Sequence, residues 1–291
     1  MNIQTIGIIG AGQMGTGIAQ VFAQAGFQVL LNDLSAEQLD AARSRIEKNL
    51  ARALAKETIS AADAESALGR LQGSSELAAL GQADLVIEAA TENEVIKTRI
   101  FADLVPHLRA ETILATNTSS LSITRLAATT DRPERFMGVH FMNPVPVMQL
   151  VELIRGIATD EATFTAIEAL VRSLGKTATV SEDFPAFIVN RILIPMINEA
   201  AYVVYEGVGN VSSVDTSMKL GANHRMGPLE LADLIGLDTC LAIMKVLHEG
   251  MGDTKYRPCP LLIKYVEAGW FGRKSGRGFY DYRGDQPVPT R

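Results

Sequence analysis

Cysteine is scarce: the 291-residue chain has only two. Cys240 and Cys259 lie far apart and fit no metal-ligand spacing, so neither a disulfide framework nor a metal site is expected, and a reduced cytoplasmic setting is the default. Positive charge is also short. Lys and Arg number 27 against 33 Asp and Glu, and the net charge of −6 argues against wide-area binding to nucleic acid. No apolar run suits a bilayer, because the longest tract, Phe184 to Val204, is interrupted by Asn190, Arg191, Asn198 and Glu199. The N-terminus lacks the basic flank of a signal or transit peptide, and its first apolar run reads as a strand. Neither an internal repeat nor a low-complexity segment is evident. These absences leave a soluble globular chain, 47% apolar and long enough for one large or two moderate domains.

What is present starts with Ile6 to Gly17, IGIIGAGQMGTG, where a short apolar run breaks into Gly10-x-Gly12-x-x-Gly15 and then a helix-like segment. A glycine triplet alone is weak evidence for a dinucleotide site, so the context has to carry the reading. Gly10 suits a tight turn, Gly12 lets backbone approach a pyrophosphate, and Gly15 lets the next helix pack on the sheet. The start of that helix, near Gln13, directs unpaired amides and a positive dipole end at the phosphates. A second buried strand, Phe27 to Leu31, leads to Asp33, 18 residues after Gly15. An acidic side chain there accepts ribose hydroxyls and repels a 2′-phosphate, and no basic residue occurs between Asp33 and Arg43, which favours NAD over NADP.

Further strands are expected near Leu71 to Gly73, Leu85 to Ala89, Thr112 to Ala115, Arg135 to Phe141 and Val151 to Ile154. Helices are expected at Ser35 to Lys56, opened by a Ser35/Gln38 capping box, and at Ala61 to Gly69, Asn93 to Leu108 and Asp160 to Leu174. This alternation predicts an α/β fold with a doubly wound, Rossmann-type sheet over residues 1–183. After Val180 no alternating strand is evident, and Pro185 to Gly207 reads as one long helix bent at Pro195. Helices at Ser213 to Leu220, Gly227 to Ile235, Leu237 to Glu249 and Cys259 to Gly269 complete an all-helical domain over 184–291, with the boundary at Ser181 to Phe184. Large apolar helical faces suggest that this domain pairs with a second copy, as a homodimer.

Candidates for proton transfer are few, since the chain has only four histidines. His140, in GVHFMNPVP, falls at the end of an expected strand, where open sheets place their ligand crevice. Oxidation of a secondary alcohol needs a hydride acceptor and a base for the hydroxyl proton, and an imidazole suits the second task. Glu152, twelve residues on, is positioned to orient the ring and stabilise its charged form. The same two residues also fit a hydrogen-bonded core histidine and an unrelated surface glutamate. The run Asn117-Thr118-Ser119-Ser120 reaches a cofactor or a substrate oxygen in one reading and is a simple turn in the other. Asn190, early in the long helix, either donates to an oxygen gaining charge or faces water. Arg45, Lys48, Arg52 and Lys56 line one helix face, which is a landing surface for an anionic ligand or a solvated face.

Taken together, GIIGAGQMGTGIAQ, NTSSLSI, GVHFMNPVPVMQLVE, FIVNR, MGPLELAD, GLDTCLAIM and GWFGRKSGRGFYDY resemble the L-3-hydroxyacyl-CoA dehydrogenases, especially the freestanding bacterial enzymes acting on 3-hydroxybutyryl-CoA. The resemblance runs from about Ile6 to Tyr282, in order and without large insertions. It implies His140 as general acid/base with Glu152 as its partner, and Ser119 and Asn190 as holders of the substrate's C3 oxygen. It implies NAD contacts at Gly10, Gly12, Gln13, Met14, Gly15, Asp33, Glu92, Lys97, Ser119, Asn143 and Lys274, and coenzyme A contacts at Lys56 and Ser119. No metal is implied. Two departures stand out: the family usually has glycine where this chain has Ala186, and often proline where it has Arg225. The alanine is expected to cost little if the backbone there is helical. Arg225 either favours an acyl chain with an extra carboxylate or faces water.

The resemblance implies NAD-linked oxidation of a short (S)-3-hydroxyacyl-CoA to the 3-oxo thioester, and the reverse, in fatty-acid metabolism. A dehydrogenase of a free hydroxy acid of the gulonate type keeps the same fold, as does a nucleotide-binding structural protein of the crystallin type.

Overall fold

The computed structural model describes residues 3–291 and divides into two compact units, Met1–Phe184 and Pro185–Arg291. The first unit is built on eight strands: β1 (Thr5–Ile9), β2 (Gln28–Asn32), β3 (Leu71–Ser74), β4 (Leu85–Glu88), β5 (Ile113–Thr116), β6 (Phe136–Phe141), β7 (Leu150–Arg155) and β8 (Thr177–Glu182). They lie in the order β3-β2-β1-β4-β5-β6-β7-β8, parallel except where β7 runs antiparallel to β6. β4, β5 and β6 are buried along their whole length, the near-continuous apolar character of strands covered on both faces. Strand order reverses between β2 and β4, on either side of β1, so the ligand crevice of such a sheet lies beyond the carboxyl ends there.

Six helices cover the sheet: α1 (Gln13–Gln24), α2 (Ala36–Ala55), α3 (Ala61–Gly69), α4 (Glu94–Leu104), α5 (Ile123–Ala127) and α6 (Glu161–Ser173). Ile8, Phe22, Ile46, Ile87, Phe141 and Ile167 share one core, to which α1, α2, α3 and α6 contribute. On α2 the buried face is Ala42, Ile46 and Leu50, a four-residue spacing, which leaves Arg45, Lys48, Arg52 and Lys56 exposed.

Several expectations change. The Ser35/Gln38 box is half formed: the Ser35 hydroxyl accepts the Gln38 amide, but the Ser35 amide donates to Asp33 instead. The helix expected to reach Leu108 stops at Leu104 and tightens into a 3₁₀ turn at Val105–His107, since Pro106 has no amide to continue it. β8 was not anticipated. Its residues TATVSE are half exposed at the sheet edge and carry little apolar signal.

The second unit holds α7 (Val189–Tyr205), α8 (Val211–Gly221), α9 (Pro228–Ile235), α10 (Leu237–Met251) and α11 (Pro260–Glu267) around Ile197, Leu229, Met244, Leu262 and Phe279. It also carries a two-stranded ribbon, β9 (Tyr280–Asp281) with β10 (Val288–Pro289), that an all-helical reading omits. The long helix does not begin at Pro185. Ala186 and Phe187 take left-handed backbone conformations, φ 63° and 53°, and helix starts only at Val189. Ala186 therefore occupies the region that favours glycine, at about 1–2 kcal/mol for an L-residue, which its complete burial partly offsets. The condition on which an alanine costs little there is not met.

Two buried aspartates bind the ribbon to the helices. Asp215 accepts the Leu229 and Glu230 amides and the Tyr280 hydroxyl. Asp233 accepts the Phe279 and Tyr280 amides and the Tyr282 hydroxyl. A Cβ at Gly278 would lie 2.0 Å from an Asp233 oxygen, so only glycine permits this approach. Both cysteines are buried and free, and burial pushes the Cys240 thiol up to about 12, which makes it inert.

Burial raises the Asp233 carboxyl to about 6, against the pull of its three donors and with the help of neighbouring Asp215. The folded state then holds a proton that the unfolded chain, near 3.8, has already released. Its stabilising contribution is complete below pH 4 and is lost as pH rises through 6, by about 3 kcal/mol. Urea unfolding of wild type and Asp233→Asn between pH 4 and pH 7 is expected to show this difference in slope, with parallel curves as the contrary result.

Candidate active site

Residues that the sequence scatters over 140 positions meet at the carboxyl edge of the first unit's sheet. The turn after β1 carries Gly10 at φ 99°. A Cβ at Gly15 would fall 1.8 Å from the Gly10 carbonyl, whereas one at Gly12 would meet nothing within 4 Å. Gly15 thus serves helix–strand packing and Gly12 keeps an approach open. α1 starts at Gly12 without a side-chain cap, so the amides of Gln13 and Met14 are presented at its positive end. Asp33, just past β2, accepts the Ala11 amide at 2.7 Å and the Ser35 amide at 3.0 Å, which ties the acidic residue to the turn itself. The Gln13 side-chain Nε2 donates to Asn143 Oδ1 at 3.0 Å, joining the turn to the loop after β6.

Beyond β4 the chain turns through Glu92, whose Oε1 accepts the Thr118 hydroxyl, the Ser119 amide and hydroxyl, and the Ser120 hydroxyl, all within 2.8–3.0 Å. The loop after β5 is therefore organised by a glutamate from the loop that follows the neighbouring strand. Asn117, at the start of that loop, accepts the Phe141 amide at 2.8 Å and so fixes the end of β6.

His140 and Glu152 are directly opposite each other on the antiparallel strands β6 and β7. Such partners project from the same face, and here His140 Nδ1 lies 2.8 Å from Glu152 Oε2. Both are buried, at 7% and 0% exposure. A carboxylate only accepts, so Nδ1 carries the proton and Nε2 the lone pair, the tautomer a general base needs.

Matches to known proteins agree with this geometry. Residues 5–184 match the NAD binding domain of 3-hydroxyacyl-CoA dehydrogenase, and residues 187–282 match its C-terminal domain. The chain belongs to the 3-hydroxyacyl-CoA dehydrogenase family. A 3-hydroxybutyryl-CoA dehydrogenase of Bradyrhizobium diazoefficiens is 64% identical over 99% of both chains, and a probable 3-hydroxybutyryl-CoA dehydrogenase of Bacillus subtilis is 56% identical over 97% of this chain and 98% of its own. The crystal structure of the (S)-3-hydroxybutyryl-CoA dehydrogenase of Ralstonia eutropha superposes with a TM-score of 0.95 at 49% identity, covering 97% of this chain and all of the other.

The first unit of this dehydrogenase is thus an NAD-binding domain, and its residues fit the group. The open approach over Gly12, the uncapped start of α1 and the acidic Asp33 match a pyrophosphate and an unphosphorylated ribose. Other expected site residues lie on other elements. Lys97 is 1% exposed, and its ammonium is enclosed by Glu88 and the Thr116 hydroxyl beneath the edge of β4 and β5. Lys56 caps the far end of α2, a 20-residue helix about 30 Å long, and is exposed with Arg45, Lys48 and Arg52. Asn190 and Lys274 belong to the second unit. Asn190 is the second residue of α7, and Lys274 forms an ion pair with Asp238 at the start of α10.

Glu88 was not singled out in the sequence. It reads there as one more residue of a strand, and the only signal was a charge ending a buried apolar run followed by a lysine nine positions on. The fold makes it a hub: Oε1 accepts the amide of exposed Ala90, and Oε2 accepts Lys97 and the Thr116 hydroxyl inside the core. Removing one charge strands the other. Lys97→Met is expected to cost about 3–5 kcal/mol in urea unfolding, and a second change, Glu88→Gln, to recover a large part of it. A single variant as stable as wild type contradicts the burial of this pair.

Proposed function

We propose that the protein catalyses reversible NAD-linked oxidation of a short-chain (S)-3-hydroxyacyl-CoA, such as 3-hydroxybutyryl-CoA, to the 3-oxoacyl-CoA. The observation that carries the reading is the buried cross-strand pair of His140 and Glu152, 2.8 Å apart. NAD supplies the hydride acceptor. His140 Nε2 takes the C3 hydroxyl proton in oxidation and returns it in reduction, while Glu152 stabilises the imidazolium between the two events. Ser119 and Asn190 are assigned to the C3 oxygen. Support for Ser119 is the rigidity of its loop, whose amide and hydroxyl are both held by Glu92.

Gly10, Gly12, Gln13, Met14, Gly15 and Asp33 are assigned to the cofactor, with Glu92, Asn143 and Lys274 as further contacts and Lys97 acting through Glu88. The exposed basic face of α2, ending at Lys56, is assigned to the phosphates of coenzyme A. None of Arg45, Lys48, Arg52 and Lys56 forms an ion pair among the described residues, so an anion there displaces no internal partner. The assigned setting is the cytoplasm. Among the described residues no helix is long and apolar enough to cross a membrane.

The purified protein is expected to reduce acetoacetyl-CoA with NADH much faster than with NADPH and to leave free acetoacetate untouched. Nicotinamide absorbance follows all three. Turnover of the free acid alone moves the reading to a hydroxy-acid dehydrogenase. His140→Gln is expected to lower turnover by about a hundredfold or more with NADH binding retained, the scale of a general acid–base contribution; an unchanged rate removes His140 from the mechanism.

We also propose that the second unit pairs with its copy in a homodimer. Ile192, Val208, Leu220 and Leu234 are large apolar side chains between 51% and 83% exposed on this unit, which a copy of the chain would cover. Light scattering at micromolar concentration is expected to give twice the 31.4 kDa chain mass, and a monomer mass refutes the pairing.

A further inference from the structure

Asp183 follows β8 and precedes the last residue of the first unit. Its carboxylate is taken up by residues about sixty positions earlier. It accepts the Ser122 hydroxyl at 2.8 Å, the Ile123 amide at 3.0 Å and the Thr124 amide at 2.7 Å. These groups form the start of α5, which already has a local cap in Ser122, bonded to the Arg125 amide. A helix of five residues gains little intrinsic stability from a second cap. What the second cap achieves is a connection between distant segments.

The connected segments matter for the chemistry. The loop entering α5 carries Ser119 and is gripped at its other end by Glu92. Arg125 adds a two-pronged ion pair to Glu94, at 2.8 and 2.9 Å, so residues 118–125 are stitched to the start of α4 and to Asp183 together. On the other side of Asp183 the chain leaves for the second unit. It passes through Phe184 and Pro185 into the left-handed pair Ala186 and Phe187, a conformation that leaves the backbone few alternative paths. Asn190 follows seven residues after Asp183.

We propose that Asp183 is a positioning residue: its carboxylate fixes the last residues of the first unit to the start of α5, so that the loop that carries Ser119 and the chain segment running on to Asn190 share one held point. The inference rests on the roles assigned above to Ser119 and Asn190. Charge-assisted bonds to two amides and a hydroxyl are strong enough for the task, and an asparagine at the same place retains only one oxygen to accept them.

The test uses the full-length chain with Asp183→Ala and the milder Asp183→Asn. Hydrogen exchange followed by mass spectrometry, without substrate, is expected to rise about tenfold or more in residues 118–125 and also in 184–190, with the glycine turn and α1 unchanged. The kcat for acetoacetyl-CoA is expected to fall about tenfold or more. Combined with Ser119→Ala, the Asp183 change is expected to add little further loss, because both act through one loop. Unchanged exchange in 184–190 overturns the proposal, as does a full multiplicative loss in the double variant. If wild type fails to turn over the thioester, the functional reading falls, and the exchange of the two segments still decides the anchor: a rise in both supports it and no rise overturns it.

Discussion

A loop can place a functional group only if its own backbone is held, and in this chain the holding is done by carboxylates that accept backbone amides from elsewhere in the sequence. Asp33 grips the glycine turn through the Ala11 amide, Glu92 grips the Ser119 loop, and Asp183 grips the start of α5. Each is a charge-assisted bond, about twice as strong as a neutral one, and each uses a group that has to lose water in any case when it sits in a folded edge. The second unit repeats the device with Asp215 and Asp233, which hold the start of α9 and the ribbon.

The reversal of one strand matters as much. If β7 ran parallel to β6, Glu152 would follow a crossover and its register to His140 would depend on a distant connection. As an antiparallel neighbour it lies directly across from the histidine, and a loop containing Asn143 closes the turn between them. The pair proposed for the acid–base chemistry and the asparagine that meets Gln13 thus come from one local excursion of the chain. Burial at 7% and 0% then makes the pair's hydrogen bond count for more than it would in water.

Much of this was legible in the sequence because its signals are local. The glycine spacing, the apolar runs of β1, β4 and β6, and the four-residue rhythm of α2 each follow from backbone geometry within one element. β8 was missed because an edge strand facing water half the time carries no apolar pattern. The start of α7 was misplaced because nothing in PAFI announces two left-handed residues; their conformation is imposed by what surrounds a fully buried Ala186. The burial of Lys97 and its pairing with Glu88 were not legible, since neither is visible until β4 and β5 lie side by side.

By itself the sequence determined the kind of fold, the dinucleotide turn, the acidic residue after the second strand, and the short list of residues able to move a proton. Those depend on residue type and near spacing, which the chain states directly. Tertiary structure decided which members of that list meet. It set His140 against Glu152, handed Ser119 to Glu92, buried Lys97, and gave Asp183 a role that its neighbours in sequence do not suggest. A hydrogen bond is a matter of a few ångströms between groups that the chain separates by tens of residues, and only a packed fold brings such groups within reach.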